Sequence, residues 1–281
     1  MGTQAGVLID ASDLHELLVS DPALVILDVR WALGDPNGRA DHQAAHIPGA
    51  VYVDLGTELA SPPEAGRGRH PLPEPAAFQE AARRWGVCAG SHVVAYDAVG
   101  NVSAARAWWL LRWAGLADVQ LLDGGLGAWQ RAGYATESGP VVPDRGDVVL
   151  ASGTLRVIDA DESAALAGTG LLLDARAGER FRGEVEPVDP RAGHIPGALS
   201  APTSANLRPD GTFAEPAELA RRFASLGADQ AAAIGVYCGS GITATHEIAA
   251  LAIAGYDAAL YAGSWSEWVA DPARPVAVGP D

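Results

Sequence analysis

The chain has 281 residues, 48% of them apolar and 19% charged, enough apolar mass for two cores of about 130–140 residues each. Nineteen Lys and Arg against 35 Asp and Glu leave a net charge of −16, which repels nucleic acid and anionic membranes. No apolar run reaches the ~18–20 residues of a membrane span.

The first residues, Met1-Gly-Thr-Gln-Ala-Gly6, lack a basic stretch and meet Asp10, Asp13 and Glu16 almost at once, unlike a secretory signal. Gly6 stands where myristoylation needs Ser or Thr. The expectation is a soluble, cytoplasmic protein. Further on, Leu24-Val-Ile-Leu-Asp-Val-Arg30 reads as a strand with a charged end, and His46-Ile-Pro-Gly-Ala50 follows as a turn. Val93-Val-Ala-Tyr96 is a short apolar run suited to a buried strand. A small-residue loop and a helical stretch, 104–114, come next. Val119–Asp123 is another strand candidate, leading into Gly124-Gly-Leu-Gly-Ala-Trp129. Residues 133–147 are rich in Gly, Pro and charge, without clear periodicity, and mark a boundary.

The same order then recurs. Gly170-Leu-Leu-Leu-Asp-Ala-Arg176 repeats the first strand and His194-Ile-Pro-Gly-Ala198 the turn. Asp28 and Asp174 are 146 residues apart, and His46 and His194 are 148 apart. Two motifs repeated in order at nearly one offset mean a duplicated domain. Ile234-Gly-Val-Tyr237, a helical stretch over 244–254, the strand candidate 258–262 and Gly263-Ser-Trp-Ser-Glu-Trp268 complete the second copy. Strands alternating with helices predict an α/β fold, each half a mainly parallel sheet flanked by helices. The expected division is 1–135 for the first domain, 136–150 for a linker and 151–281 for the second domain.

The chemistry is expected at the carboxyl end of the second sheet, where open α/β folds bind ligands. There the loop reads Cys238-Gly-Ser-Gly-Ile-Thr243. Gly239 and Gly241 allow a tight turn whose backbone N–H groups converge on an anion. The helix beginning near Thr243 adds its positive dipole end, and Ser240 and Thr243 add hydroxyl donors. Such surroundings favour thiolate over thiol and can lower a cysteine pKa from ~8.5 to roughly 3.5–7.5. A free cysteine is more often a small buried hydrophobe. The strand–Cys–Gly-x-Gly–helix pattern outweighs that reading for Cys238 but not for Cys88, whose Gly-Val-Cys-Ala-Gly setting lacks a following helix. The two cysteines are too few for a disulfide framework or a metal cluster.

These motifs together resemble the tandem-domain rhodaneses over essentially the whole chain. The resemblance implies two tandem rhodanese-like domains, the first catalytically inactive because Asp97 stands where the second has Cys238. It also implies a sulfurtransferase that carries sulfur on Cys238 as a persulfide. The loop Cys238, Gly239, Ser240, Gly241, Ile242 and Thr243 would stabilise thiolate and persulfide without metal or cofactor. The partners implied are a small anionic sulfur donor and a thiol, cyanide or reduced redox protein as acceptor. A donor of that charge needs a local cation in so acidic a chain. Mercaptopyruvate enzymes resemble Cys-Gly-Ser-Gly-Val-Thr, one conservative change from this loop, whereas thiosulfate enzymes resemble Cys-Arg-Lys-Gly-Val-Thr. By loop identity 3-mercaptopyruvate leads thiosulfate as donor.

The same resemblance implies that Arg180, before Phe181, binds the donor. A second substrate arginine is expected shortly before Gly193-His-Ile-Pro-Gly, near Arg191. His70 is expected to assist the loop serine, with an acid partner near Asp54, although Gly56 holds the matching position. His46, His194 and the Asp28–Arg30 and Asp174–Arg176 pairs read as structural, and Trp265 and Trp268 as core. A cysteine phosphatase is excluded, because no Arg or Lys lies between Cys238 and Trp265 to clamp a phosphoryl group. The alternative is a non-turnover sulfur carrier or regulatory module loaded by another enzyme.

Overall fold

The computed structural model describes residues 6–280 except Leu33 and Ala65, so Met1–Ala5, part of the stretch read against a leader, lie outside the described residues. It divides into two compact units. The first comprises Met1–Ser61, Pro73–Thr154 and Arg208–Phe213; the second comprises Pro62–Leu72, Leu155–Leu207 and Ala214–Asp281.

In the first unit the elements are β1 (Leu8–Ile9), α1 (Ala11–Ser20), β2 (Leu24–Asp28), α2 (Gly38–Ala44), β3 (Val51–Tyr52), α3 (Leu55–Glu58), α4 (Pro75–Arg84), β4 (His92–Tyr96), α5 (Ala104–Trp113), β5 (Val119–Leu122) and α6 (Gly125–Arg131). The strands form one parallel sheet in the order β1-β5-β4-β2-β3. Val93 to Tyr96 are all buried, which is why β4 reads as a continuous apolar run and not an alternating one. Asp10 caps α1 by accepting from Asp13 N, and α4 begins with Pro75 and ends with Arg83 and Arg84. Ile26, Val94, Tyr96, Leu122, Leu126 and Trp129 lie at the core of this unit. The irregular stretch 136–150 runs along the same unit, where Gly139, Gly146 and Val148 donate to the carbonyls of Gln43, Arg83 and Val87.

In the second unit the elements are β6 (Val157–Ile158), α7 (Ala160–Thr169), β7 (Leu171–Asp174), α8 (Gly178–Phe181), β8 (Leu199–Ser200), a 3-10 turn (Thr203–Asn206), α9 (Pro216–Ser225), β9 (Ile234–Tyr237), α10 (Thr243–Ile253), β10 (Ala259–Tyr261) and α11 (Ser264–Trp268). The parallel order β6-β10-β9-β7-β8 repeats the first sheet strand for strand. The repeat extends to register. Asp28 lies opposite Tyr96, and Asp174 lies opposite Tyr237, at the carboxyl end of the central strand pair.

That register explains the duplicated charged strand ends. Arg30 binds Asp28 at 2.7 Å, and Tyr96 Oη donates to the same carboxylate at 2.8 Å. Arg176 binds Asp174 at 2.6 Å and lies 4.6 Å from the Trp265 ring centroid. Asp28, Asp174 and Arg176 are buried and Arg30 is half-buried, as suits structural ion pairs. The two motif histidines are buried in turns: His46 Nδ1 lies 2.7 Å from the His42 carbonyl oxygen, and His194 stacks on Phe181 at 3.7 Å. Trp265 and Trp268 are core residues. Among the described residues, no helix is long and apolar enough to cross a membrane.

Candidate active site

The peptide leaves β9 at Tyr237 and enters α10 at Thr243, so Cys238 begins a five-residue connection at the carboxyl end of the sheet. The cysteine is 1% exposed. Gly241 N donates to Cys238 Sγ at 3.2 Å. That bond needs Gly241 in a left-handed conformation (φ +79°), and a Cβ there would come within 2.3 Å of the Ala262 carbonyl oxygen. Only glycine fits. The eleven-residue α10 starts one residue beyond the loop and directs its dipole toward it. An anion at Sγ therefore meets an N–H donor and a positive helix end.

The backbone around the sulfur is tied from the next strand–helix junction. Cys238 N donates to Ser264 Oγ at 3.1 Å, and Ser264 Oγ donates on to the Tyr261 carbonyl at 2.8 Å. Trp265 N and Ser266 N donate to the carbonyls of Cys238 and Gly239, each at 2.9 Å. Ser264 holds φ at +54°, a costly conformation for a non-glycine residue that these bonds over-determine. Ser264 was not singled out by sequence, although it sits inside the motif 263–268.

His70 comes to the loop with its Nδ1 2.8 Å from Ser240 Oγ. It belongs to the 62–72 segment of this unit, anchored by Arg69 N donating to Ser266 Oγ at 3.1 Å. Asp54 instead caps the short α3, accepting from Thr57 N at 3.1 Å. Arg180, from α8, lies with 19% of its side chain exposed and binds Glu186 at 2.6 Å and Asp189 at 3.3 Å. A Cβ on Gly239 would lie 3.6 Å from Arg180 Nη1, which places that guanidinium beside the residue after the cysteine. Arg191 does not join it, because both its terminal nitrogens donate to the Arg274 carbonyl at 3.1 Å. The second guanidinium beside Gly239 is Arg69, 3.1 Å from the same Cβ position and ion-paired with Asp189. Sequence reasoning missed it.

The acidic partners differ. Burial pushes the Asp189 carboxyl above its ordinary range, although Arg69 and Arg180 pull it down. Burial also opposes ionisation of Glu186, but the hydrogen bonds from Arg180 and from the Asp189 and Val188 amides prevail and hold it below its ordinary range.

The matching loop of the first unit, residues 97–103, is two residues longer than 238–242 and holds a carboxylate instead of a thiol. Asp97 is fully buried and accepts from the backbone N–H groups of Val99, Asn101, Ser103 and Ala104 at 2.7–3.0 Å. Burial raises its pKa despite those four donors. The loop architecture is thus an anion cradle in both units, filled by the chain itself in one. Cys88 is exposed, with Sγ 3.7 Å from the Gly86 carbonyl oxygen.

Comparison with known proteins agrees with the duplication. The family model for the Rhodanese-like domain matches residues 10–132 and again 159–271. The "Putative thiosulfate sulfurtransferase SseB" of Mycobacterium tuberculosis is 46% identical over 284 residues, covering 99% of each chain. The "Probable 3-mercaptopyruvate sulfurtransferase" of Pseudomonas aeruginosa is 49% identical over 271 residues, covering 93% of this chain and 94% of its own. Among solved structures, the 3-mercaptopyruvate sulfotransferase SseA of Escherichia coli superposes with a TM-score of 0.83 at 34% identity, covering 93% of this chain and all of that one.

Proposed function

The chain belongs to the rhodanese-like family, and from that premise we propose that it is a sulfurtransferase working through a persulfide on Cys238. The observation that carries this reading is the Cys238 sulfur held by an N–H donor at the head of α10, while the equivalent loop of the first unit is closed by Asp97. An aspartate forms no persulfide, so the chemistry falls to the second unit.

The thiolate attacks the outer sulfur of the donor. With thiosulfate, the sulfur–sulfur bond breaks and sulfite leaves with the electron pair. With 3-mercaptopyruvate, the carbon–sulfur bond breaks, pyruvate leaves as its enolate, and the proton of the donor thiol ends on that carbon. The Ser240–His70 hydrogen bond beside the loop suits these residues to relay that proton. The Gly241 amide and the α10 terminus offset the charge on thiolate and persulfide alike. Arg180 receives the anionic end of the donor, a local cation in a chain of net charge −16. A thiol, cyanide or a reduced redox protein then takes the outer sulfur and returns the thiolate. The relatives named for thiosulfate and for 3-mercaptopyruvate are of similar identity, so the reading includes both donors.

The experiment is side-by-side kinetics with thiosulfate and 3-mercaptopyruvate, using cyanide and a thiol as acceptors. Wild type and Cys88→Ser should turn over at least one donor at equal rates, and Cys238→Ser neither. Full activity in Cys238→Ser, or no turnover by the wild type with either donor, would overturn the reading.

A further inference from the structure

The two units turn one corner with different residues. In each, the strand β5 or β10 leads through a glycine into a short helix, Gly124 before α6 and Gly263 before α11. The residue that follows has φ +54° in both units, Gly125 in the first and Ser264 in the second. Glycine adopts that left-handed conformation freely, whereas a residue with a Cβ adopts it at a cost. One residue further on the copies agree again. Leu126 N donates to the Asp97 carbonyl and Trp265 N to the Cys238 carbonyl, each at 2.9 Å. The corner thus holds the carbonyl of the first loop residue in both units. In the second unit it holds the amide as well, because Ser264 Oγ accepts from Cys238 N at 3.1 Å. The Ser264 hydroxyl is buried and donates its own proton to the Tyr261 carbonyl at 2.8 Å, which turns a lone pair toward Cys238. Gly125 offers no such group, and a Cβ there would come within 2.3 Å of the Asp97 carbonyl oxygen.

A backbone held in such a conformation persists only where its surroundings over-determine it, and such residues cluster at reactive sites. Here the costly residue belongs to the copy with the thiol, and the copy with the carboxylate has glycine in its place. We propose that Ser264 is a positioning residue for the nucleophile: its hydroxyl fixes the Cys238 amide and so keeps the sulfur against the Gly241 N–H. With amide and carbonyl both bound, the sulfur keeps only rotation about its own side-chain bond, and the Gly241 N–H at 3.2 Å selects one position. The Ser264 hydroxyl is bound to backbone on both sides, so it acts through Cys238. The inference rests on the sulfurtransferase reading and adds a residue that serves either donor alike, since one thiolate attacks both.

The test compares wild type, Ser264→Gly and Ser264→Ala. Ser264→Gly copies the residue of the first unit and removes hydroxyl and backbone cost together; Ser264→Ala removes the hydroxyl and keeps the cost. The rate at which each donor loads sulfur on Cys238 is followed by quenching and mass. At saturating donor both variants should load roughly ten- to a hundredfold more slowly than wild type, equally for thiosulfate and 3-mercaptopyruvate. The donor concentration giving half the maximal rate should change by less than about threefold. In urea, Ser264→Gly should be the more stable of the two variants, because glycine relieves the backbone. Loading is thus expected to follow the hydroxyl and stability the backbone; if Ser264→Ala does not fold, Ser264→Gly carries the comparison. Wild-type loading by Ser264→Gly, or a loss confined to one donor, overturns the role of Ser264. A wild type that takes sulfur from neither donor overturns the function itself. Hydrogen exchange of the Cys238 amide, read by NMR without donor, then still decides the inference. Ser264→Gly should exchange there at least about fivefold faster than wild type, and equal exchange would overturn it.

Discussion

At the scale of single residues, the chain contains its own control for the reactive position. Asp97 and Cys238 follow matching strands; the Asp97 carboxylate accepts from four backbone N–H groups, and the Cys238 sulfur accepts from that of Gly241. The sequence pattern made Cys238 legible, because a cysteine between a buried strand and a Gly-x-Gly turn has few structural reasons to be there. Arg69 was not legible. Its place beside Gly239 depends on Gly68 and on the Ser266 hydroxyl, nearly 200 residues further along, and no periodicity in 62–72 announces either. His70 was legible only by family likeness, and its bond to Ser240 gives it a testable role. The two donors differ in what their leaving groups need: sulfite departs as an anion, whereas the pyruvate carbon must gain a proton. His70→Ala should therefore slow 3-mercaptopyruvate turnover by ~10²-fold or more, the usual worth of positioned proton transfer, and thiosulfate turnover far less. Parallel kcat measurements decide it, and equal slowing of both donors would show that His70 only supports the loop.

At the scale of elements, long buried strands were readable and edge strands were not. β4 and β9 announce themselves as apolar β-rich runs, while β1, β3, β6 and β8 are two residues each and take their strand character from pairing with neighbours. The twin strand-end aspartates were read as ion pairs, but the tyrosine opposite each came from register, which sequence does not display. In the first unit, His42, Arg30 and Tyr96 all bind Asp28. Burial works against the Asp28 charge, yet these partners prevail and hold its pKa below the ordinary 3.8. A carboxyl depressed in the folded state contributes stability above its unfolded pKa and loses it as pH falls through the folded value. Asp28→Asn should thus cost about 3–5 kcal/mol at pH 7, the scale of an uncompensated buried partner, and progressively less below about pH 4. Tryptophan fluorescence in urea can follow it, since Trp31, Trp85, Trp108, Trp109, Trp113 and Trp129 all lie in the first unit. A cost that does not shrink on acidification would mean that Asp28 acts by shape and not by charge.

At the scale of the whole molecule, duplication was the most legible property, because two motifs at offsets of 146 and 148 residues survive even where the chemistry has diverged. The way the chain is shared between units was less so. Pro62–Leu72 completes the second unit and Arg208–Phe213 the first, and neither segment carries a compositional mark of that membership. The first of these brings Arg69 and His70 to the cysteine loop, so the second unit depends on residues encoded far upstream. One duplicated fold has thus kept two anion cradles and reactive sulfur in one of them. The most direct measurement is the mass of the protein and its peptides after donor treatment and removal of excess donor. One added sulfur per chain is expected, on the Cys238 peptide, discharged by cyanide and missing from Cys238→Ser. Sulfur on Cys88, or equal labelling of Cys238→Ser and wild type, would contradict the account.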